Sequence, residues 1–563
     1  MNNFLIRLPQ IRKFWLWTSL FLVIMGLAIW LRFSQLTQIP PAPYWEEVAL
    51  GYDAYSLAQT GKDHHGHAWP VAAFESFGDW KPSGYFYAAM VSLKLFGFSL
   101  WSIRFPATVA GVIFVSLMGL SGWLAWRFWQ IGSRQLWLFL LALAAICPWA
   151  IIFSRAAWEV MLATSLFLAA LICFWWSIMS WSKKSNQVFF ASGLSLIFAI
   201  LSMYTYHALR LITPLMFGWT LSWWFWQSDK KAFWQTWQRQ KIPTIIFGTL
   251  ALVITIGLLS PILQNLTSPI IRQRFAETSI LNSIEPILAS NTAKAEAGNT
   301  LLARLIYHRY WYQLQLIVTQ YLKHLNLDFL FIHGDVNPRH SVQFFGQLYY
   351  LDAIFIVLGA GVLWKKHRNW AIYLGGWWLI ATLPAALTTA APHALRSLAA
   401  LPVWLWLTAC GVNWLTQKWR WALGLIVSAY ALSLMWFWSA YTLIYPQNFG
   451  TEWQMGYCEM YQALAQAMTY SPKLPVYVTR AQGRPAMYYW YCQKIAPKRV
   501  QAAEGQVLKD QAEFLSFEQL KFINRVDEVP TTPALVAATA TELLPKFPIH
   551  LLYQSPSWQI WQQ

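Results

Sequence analysis

Long apolar segments dominate this chain and decide the environment in which it folds. A run of about 17–25 mainly apolar residues can cross the hydrocarbon core of a bilayer as a helix. Eleven such segments lie at about residues 15–33, 105–126, 135–153, 160–180, 188–206, 209–226, 243–260, 346–364, 370–387, 398–415 and 421–444. Only 11% of the residues are charged, against about 25% in soluble domains. The sequence therefore predicts an α-helical polytopic membrane protein with about 11 transmembrane helices.

The basic residues are distributed as a topology signal. With a cytoplasmic N-terminus, each of the six predicted inner segments is basic, and Asp229 is their only acidic residue. This is the asymmetry expected for inner loops. The odd number of spans places the C-terminus outside, in a multi-pass protein of the plasma (inner) membrane. The net charge of +18 therefore reflects orientation in the lipid bilayer and does not indicate a nucleic-acid partner.

The predicted outer segments differ from the inner ones in length and composition. Two long outer loops cover about 34–104 and 261–345, and the apolar run 84–98 is interpreted as an interfacial helix. The tail returns to a soluble composition. We therefore predict two domains, a transmembrane domain over 1–444 and an extracytoplasmic one over 445–563.

The tail shows the pattern of a small α/β domain. A helix-compatible stretch, 485–495, alternates with short β-like runs. These runs are 475–479, 534–539, 549–554 and 558–561. Cys458 and Cys492 both lie in this tail, where the compartment permits a disulfide. Whether they pair depends on geometry, and the sequence leaves both states open.

Carboxylates cluster just after the first predicted span. Charges near spans need a reason, since moving one to the bilayer centre costs roughly 2.5–3.5 kcal/mol. Glu46 and Glu47 open a helical run that continues to about residue 58, and Asp53 lies on the same face as Glu46, about 10 Å away. Acidic residues also stabilise helix N-termini through the dipole. Both a catalytic and a purely structural role therefore fit these carboxylates.

A second acid lies where the third predicted span ends. Arg155 and Glu159 are four residues apart and could simply form a helical ion pair. The functional alternative is that Glu159 faces the same outer cavity as Glu46 and Glu47.

A tetrapeptide occurs twice at equivalent predicted membrane depth. The two copies of His-Ala-Leu-Arg span His207 to Arg210 and His393 to Arg396. The planar guanidinium of Arg suits phosphate because it binds two oxygens and stays charged. Arginines at helix ends also snorkel to the interface, so one copy alone would be unremarkable.

Two further clusters lie in the outer loops. Arg339 lies in a turn-rich stretch, 333–341, from which it could reach a phosphate or a lipid headgroup, although a plain surface turn fits equally well. His64, His65 and His67 look metal-like but lack a completing ligand set, so we predict no metal site.

At these motifs the chain resembles the membrane glycosyltransferases of the GT-C fold, in particular bacterial relatives of the protein O-mannosyltransferase and aminoarabinose-transferase families. The resemblance covers about residues 10–445. Its motifs are Trp45-Glu46-Glu47, residues 51–57, 60–63, 77–82, 101–106 and 153–155, and later 334–341 and 393–396.

The resemblance implies a hexosyl- or pentosyltransferase that uses a polyprenyl-phosphate-linked sugar on the extracytoplasmic side. In that group an acidic pair after the first span, usually Asp-Glu, holds the catalytic base. Glu46 occupies the matching position and is favoured as base, with Glu47 and Glu159 orienting the acceptor or tuning the base. The candidate substrate-binding residues are Asp53, Arg155, His207, Arg210, Arg339, His393 and Arg396, with the arginines Arg210, Arg339 and Arg396 assigned to the donor phosphate.

The resemblance implies no cofactor if arginines carry the phosphate. The metal-dependent oligosaccharyltransferases of the same fold have a WWD motif, which does not occur in this sequence. Lipid, glycan and protein acceptors all remain open. The alternative functions are a secondary transporter, which would carry its binding groups near mid-membrane, and another lipid-linked transfer enzyme such as a polysaccharide ligase or polymerase.

Overall fold

A computed structural model of the chain describes residues 8–181, 185–266, 278–510, 512–542 and 549–563. Its helices are α1 (Leu8–Phe33), α2 (Trp45–Thr60), α3 (Gly84–Phe96), α4 (Leu100–Trp129), α5 (Leu136–Ile146), α6 (Pro148–Arg155), α7 (Glu159–Ser180), α8 (Ser185–Thr205), α9 (Leu209–Gln227), α10 (Lys230–Leu266), α11 (Glu285–Glu296), α12 (Leu301–Ile306), α13 (Arg309–Lys323), α14 (Tyr350–Lys366), α15 (Arg368–Ala386), α16 (Ala394–Ser397), α17 (Leu401–Lys418), α18 (Ala422–Ser439), α19 (Tyr445–Phe449), α20 (Tyr457–Tyr470), α21 (Pro485–Cys492) and α22 (Pro497–Ala503). Its strands are β1 (Ala73–Ser76), β2 (Asp79–Pro82), β3 (Val476–Thr479), β4 (Lys509–Asp510), β5 (Glu513–Phe514), β6 (Ser516–Phe517), β7 (Leu520–Ile523), β8 (Leu535–Thr539), β9 (His550–Gln554) and β10 (Trp558–Gln562).

The apolar segments form helices, as predicted. Each of the eleven predicted spans coincides with one helix or, at 135–153, with the pair α5 and α6. Within the described residues, seven helices are long and apolar enough to cross a membrane, or eight if that bent pair is one span. The other three predicted spans lie on α9, α14 and α15. The chain is thus a multi-pass helical membrane protein, and eleven crossings stays a prediction.

The bend between α5 and α6 has a local cause. Their axes differ by 53° at a short break, where Cys147 is extended with ψ 124°. Pro148 follows directly, and a proline both lacks an N–H to donate and disfavours helical geometry in the residue before it. The sequence therefore breaks this apolar segment at Cys147.

The chain divides into two compact units. The first contains Met1–Ser34, Ala107–Ser154 and Glu159–Ala440, and the second contains Gln35–Pro106, Arg155–Trp158 and Tyr441–Gln563. The first outer segment is thus grouped with the tail. The domain boundary that we predict at 444/445 stays a prediction.

The first unit contains a close helix crossing between α14 and α17. A Cβ atom added at Gly359 would lie 1.9 Å from the carbonyl oxygen of Leu407, and one added at Gly411 would lie 2.2 Å from the carbonyl oxygen of Phe355. Small residues let helix backbones approach closely where lipid offers no hydrophobic driving force. The two glycines therefore set the distance between these helices.

The second unit contains a mixed sheet with strand order β6-β7-β3-β8-β10-β9. Strand β3 pairs in parallel with β7 and β8, and the other pairs are antiparallel. All four predicted β-like runs are strands, and the helix-compatible stretch contains α21. This confirms the predicted C-terminal α/β region. Cys458 and Cys492 form a disulfide.

Helix α2 is buried in the core of the second unit. Val48, Ala49 and Tyr52 belong to the same hydrophobic cluster as Trp490 and Trp558 of the tail. Each large apolar side chain that is fully buried contributes about 1.5–3 kcal/mol. The core of the tail therefore fixes the helix that begins with the two glutamates.

The close helix crossing predicts that replacing two glycines of α14 by alanine affects stability differently. Gly359→Ala should destabilise the protein by about 1–3 kcal/mol, because its methyl group meets backbone that cannot yield. Gly361→Ala is the matched control, since nothing lies within 4 Å of its Cβ position, and it should leave stability unchanged or slightly raised. Thermal unfolding in detergent measures both. Equal melting temperatures for the two variants would contradict the close crossing.

Candidate active site

The site begins at the N-terminus of α2. Tyr44 precedes the helix in an extended conformation, with φ −69° and ψ 153°. The Glu47 side chain accepts a hydrogen bond from the Tyr44 N–H, with 3.2 Å between N and Oε2. Gly61 ends the helix with φ +70° and donates to the Leu57 carbonyl. Both ends of α2 are therefore set by local sequence.

Glu47 forms a buried ion pair with Arg104. Only 1% of the Glu47 side chain is exposed, and none of the Arg104 side chain. Oε1 accepts from Arg104 Nε at 2.9 Å and from the Ala157 N–H at 2.7 Å. Oε2 accepts from Arg104 Nη2 at 2.9 Å and from the Tyr44 N–H. Two carboxylate oxygens have about four acceptor positions, so Glu47 is saturated.

The remaining N–H groups of Arg104 organise the chain before α2. Nη1 donates to the carbonyls of Leu36 and Pro40, and Nη2 donates to the carbonyl of Ala42, at 2.8–3.0 Å. All the N–H groups of the Arg104 guanidinium thus donate either to carbonyls of residues 36–42 or to Glu47. The pair acts as a structural clamp at the start of α2.

Glu46 has a different environment. Its side chain is 36% exposed, and its Oε1 accepts from Lys81 Nζ at 2.8 Å. The same ammonium group lies 3.5 Å from Asp79 Oδ2. Lys81 lies on β2, which pairs with β1 through a two-residue turn at Phe77 and Gly78. Both turn residues have positive φ, the geometry that hairpin turns of this length require.

An arginine and two aromatic rings lie together at the start of α2. The Arg484 guanidinium carbon lies 5.2 Å from the Trp45 ring centroid and 4.0 Å from that of Phe77. Arg484 also pairs with Glu513 at 2.8 Å between Nη1 and Oε1. Arginine over aromatic faces is attracted by the ring quadrupole.

Asp53 is fully buried and bonded to His64. Its Oδ1 accepts from the His64 N–H at 2.9 Å and lies 2.6 Å from His64 Nδ1. Burial alone would lower the pKa of His64, but the Asp53 carboxylate, together with the charges of Asp63 and Glu504, more than offsets burial, and the pKa is raised. Asp53 Oδ2 has no hydrogen-bond partner among the described residues. Asp53 therefore anchors the turn after α2.

Arg155 and Glu159 do not share a helix. Helix α6 ends at Arg155, residues 156–158 are not helical, and α7 begins at Glu159. The helical geometry needed for a pair four residues apart is therefore lost. Buried Arg155 donates from Nη2 to the Ile39 carbonyl at 3.1 Å, and its guanidinium carbon lies 5.8 Å from the Tyr441 ring centroid. Glu159 occupies the first turn of α7.

Both copies of the repeated tetrapeptide lie at helix starts in the first unit. His207 precedes α9, and Arg210 in its first turn donates from Nε to the Met203 carbonyl at 3.1 Å. His393 precedes α16, and Arg396 donates from Nη1 to Thr388 Oγ1 at 2.8 Å. All four side chains are partly buried.

The second copy is tied to the loop that contains Arg339. Asp335 Oδ2 accepts from the Ala394 N–H at 2.7 Å and lies 3.1 Å from His340 Nδ1. Burial alone would raise the pKa of Asp335, but the hydrogen bond and charge of His340 hold it below its usual range. Asp335 Oδ1 accepts from the Asn337 N–H at 2.9 Å. The structure thus brings 333–341 and 393–396 together.

Five residues of these arrangements were not among the predicted site residues. They are Lys81, Arg104, Asp335, His340 and Arg484. The first two lie in the motif stretches 77–82 and 101–106, and Asp335 and His340 lie in 333–341, so the resemblance marks their segments but not their partners.

No protein family model and no curated protein matches the sequence. Solved structures do match. The structure of ArnT from Cupriavidus metallidurans bound to undecaprenyl phosphate is 12% identical, with a TM-score of 0.53 over 97% of this chain and 98% of that one. The archaeal oligosaccharyltransferase AglB from Archaeoglobus fulgidus, in complex with an inhibitory peptide and a dolichol-phosphate, is 10% identical, with a TM-score of 0.49 over 94% of this chain and 70% of that one.

The first of these similarities extends over nearly the whole of both chains. At 12% identity it concerns the fold and not the chemistry. It confirms the GT-C fold predicted from the motifs.

The two neighbouring glutamates should differ sharply in their contribution to stability. Glu47→Gln leaves Arg104 buried without a counter-charge, which should cost about 3–5 kcal/mol. Glu46→Gln removes a partly exposed pair and should cost no more than about 1 kcal/mol. Thermal unfolding of both variants in the same detergent measures the difference. Similar stabilities would mean that Glu47 does not act as the clamp.

Proposed function

We propose that the protein is an integral membrane glycosyltransferase that moves a sugar from a polyprenyl-phosphate donor to an acceptor on the extracytoplasmic face, with Glu46 as general base. The observation that carries this proposal is the contrast between two adjacent carboxylates on a GT-C fold. Glu47 is saturated by four donors, whereas Glu46 is partly exposed beside Lys81. The ArnT structure of the same fold was solved with undecaprenyl phosphate.

In the proposed reaction Glu46 removes one proton from the acceptor. The base must lie within hydrogen-bond reach of the acceptor hydroxyl or amine that it deprotonates. As the acceptor atom loses its proton to Glu46, it bonds to the anomeric carbon, and the bond from that carbon to the phosphate oxygen breaks. The polyprenyl phosphate leaves with the bonding electrons. Lys81 Nζ lies 2.8 Å from Glu46 Oε1 and holds the carboxylate that accepts the proton in place.

The other predicted acids have supporting roles in this proposal. Glu47 positions Glu46 by fixing the first turn of α2 through Arg104. Asp53 supports substrate binding indirectly, because it holds the turn that contains His64. Arg155 and Glu159 flank the non-helical link 156–158, which is bound to Glu47 through the Ala157 N–H, and orient the acceptor.

The leaving phosphate requires cations. Arg339 and Arg396 lie in segments that Asp335 connects, and His207 and Arg210 lie at the matching position of the first tetrapeptide copy. Charge-assisted hydrogen bonds from guanidinium groups stabilise the charge that develops on a leaving phosphate. We assign Arg210, Arg339 and Arg396 to the donor phosphate, with His207 and His393 supporting them.

The orientation follows from the charge pattern, and the domain division follows from the soluble composition of the tail. We propose a plasma-membrane location with a cytoplasmic N-terminus and an extracytoplasmic tail, and a division into a transmembrane domain over 1–444 and an outer domain over 445–563. The acceptor is a lipid, a glycan or a protein.

Replacing Glu46 tests the base. In a strain lacking the gene, Glu46→Gln should restore less than about 1% of the glycoconjugate that the wild type restores, because general-base catalysis contributes roughly 10²–10⁴-fold. Mass spectrometry of lipid, glycan and protein fractions identifies and quantifies that product. The matched control is Glu75→Gln, a carboxylate on the neighbouring hairpin, which should restore wild-type levels.

Protein levels in the membrane must be equal in all strains. Near-normal product from Glu46→Gln would refute the assignment of the base. A gene deletion that changes no glycoconjugate would refute the proposed activity itself.

Replacing Arg396 tests donor binding. Arg396→Ala should weaken the binding of undecaprenyl phosphate to the purified protein by about 10–100-fold, since hydrogen bonds to charged groups are worth about 1.5–3 kcal/mol. Titration followed by native mass spectrometry measures the affinity. Arg368→Ala, at the start of α15 in a predicted inner segment, is the control. Equal affinities for the two variants would remove Arg396 from the phosphate site.

A further inference from the structure

Three side chains of the first unit form a compact donor cluster, and of these the proposed reaction gives a role only to His393, beside the donor phosphate. Asp335, His340 and His393 each offer a ligand atom, and these atoms all lie within 4.8 Å of one another. Asp335 and His340 are buried, and His393 is largely buried. We propose that this cluster binds one divalent transition-metal ion of the zinc class.

The separations fit such an ion. Zinc binds imidazole nitrogen at about 2.0–2.1 Å and carboxylate oxygen at about 2.0–2.2 Å, so tetrahedral ligand atoms lie roughly 3.3–3.5 Å apart. Asp335 Oδ2 is 3.1 Å from His340 Nδ1 and 3.8 Å from His393 Nδ1. All three ligand atoms lie within 4.8 Å of one another, so side-chain shifts of up to roughly 1.5 Å would bring both histidines to coordination distance.

Two backbone N–H groups orient the Asp335 carboxylate so that it can serve as a metal ligand. Asp335 Oδ1 accepts from the Asn337 N–H, and Oδ2 accepts from the Ala394 N–H at 2.7 Å. Backbone bonds of this kind orient metal-ligating carboxylates. His324 has another role, because its Nε2 accepts from the His393 N–H at 3.2 Å and its Nδ1 lies 2.9 Å from the Gln320 carbonyl. It positions the backbone of a ligand residue.

The environment of the His393 side chain gives a second argument for a metal ion. Its Nδ1 is buried and has no hydrogen-bond partner among the residues that the structure describes. Leaving such an atom unsatisfied costs about 1–3 kcal/mol. Coordination to a metal ion would satisfy its lone pair, whereas a network of hydrogen bonds between Asp335 and His340 leaves it unsatisfied.

The donor set selects the class of ion. Two imidazoles and one carboxylate favour zinc and its neighbours, while magnesium and calcium prefer oxygen ligands. Three protein ligands leave a tetrahedral ion one position for water. The ion would join the loop 333–341 to the residues before α16 and thereby position Arg339 and Arg396. The proposal does not depend on the proposed transferase activity.

The test uses the full chain, purified in detergent with an affinity tag that contains no histidines. After removal of metal by a chelator, added Zn²⁺ should bind tightly at one ion per chain, as measured by elemental mass spectrometry. Co²⁺ should give the visible absorption of a tetrahedral site. Asp335→Asn and His393→Ala should each abolish the Co²⁺ spectrum and lower Zn²⁺ affinity by at least about 100-fold, because losing a ligand should cost more than the roughly 10–100-fold typical of losing an outer-shell partner.

The matched control is His333→Ala. His333 lies in the same loop, but its side chain is 62% exposed and pairs with Asp328, so this variant should bind metal as the wild type does. Absence of stoichiometric tight binding by the wild type would overturn the proposal, whether or not the variants fold. Wild-type binding by both ligand variants would overturn it as well. Glu46→Gln should keep full metal binding, which separates this test from that of the base.

Discussion

The buried ion pair between Glu47 and Arg104 is the constraint on which the second unit depends. Its atoms contact the segment 36–42, the start of α2 and the link at Ala157. Two charges without exposure to solvent are stable only when both are present and fully hydrogen-bonded. The pair meets that condition, since every N–H of the Arg104 fork and both oxygens of Glu47 have partners. The ion pair therefore fixes the conformation of the first turn of α2, and Glu46 lies in that turn.

Two adjacent glutamates thus have opposite environments. Glu47 faces the protein and is saturated, while Glu46 is partly exposed and bonded to a lysine from a neighbouring hairpin. Carboxylates in contrasting environments commonly divide acid–base chemistry and structural work between them. The proposed mechanism uses this division: one carboxylate fixes the helix, and the other is held where an acceptor can reach it.

Much of the fold follows from the sequence because its signals are local. Hydropathy located every predicted span on a helix, and Pro148 accounts for the bend between α5 and α6. Periodicity also located four strands of the tail, β3, β8, β9 and β10, but not β4 to β7. The partners of the site residues were not predictable in this way. Glu47 and Arg104 are 57 residues apart, and Asp335 and Ala394 are 59 apart. Local patterns carry no information on which distant groups meet.

The same limit applies to Arg155 and Glu159, for which the sequence left open a helical ion pair and a role in the outer cavity. Their spacing suits a helical pair, but the chain leaves the helix at 156–158, where the Ala157 N–H donates to Glu47. A tertiary hydrogen bond overrides the local pattern at this point. By contrast, the motif stretches 77–82 and 101–106 contain Lys81 and Arg104, although the contacts of these two residues are provided only by the fold.

The most direct test of the division between the two glutamates is chemical rescue. Glu46→Ala and Glu47→Ala each remove a carboxylate, and added formate can replace a missing base that is accessible to solvent. In membranes supplied with donor and acceptor, formate should restore part of the transfer activity of Glu46→Ala, and it should not restore that of Glu47→Ala, whose defect is one of folding. Rescue of Glu47→Ala alone, or full activity of Glu46→Ala without formate, would contradict the assignment.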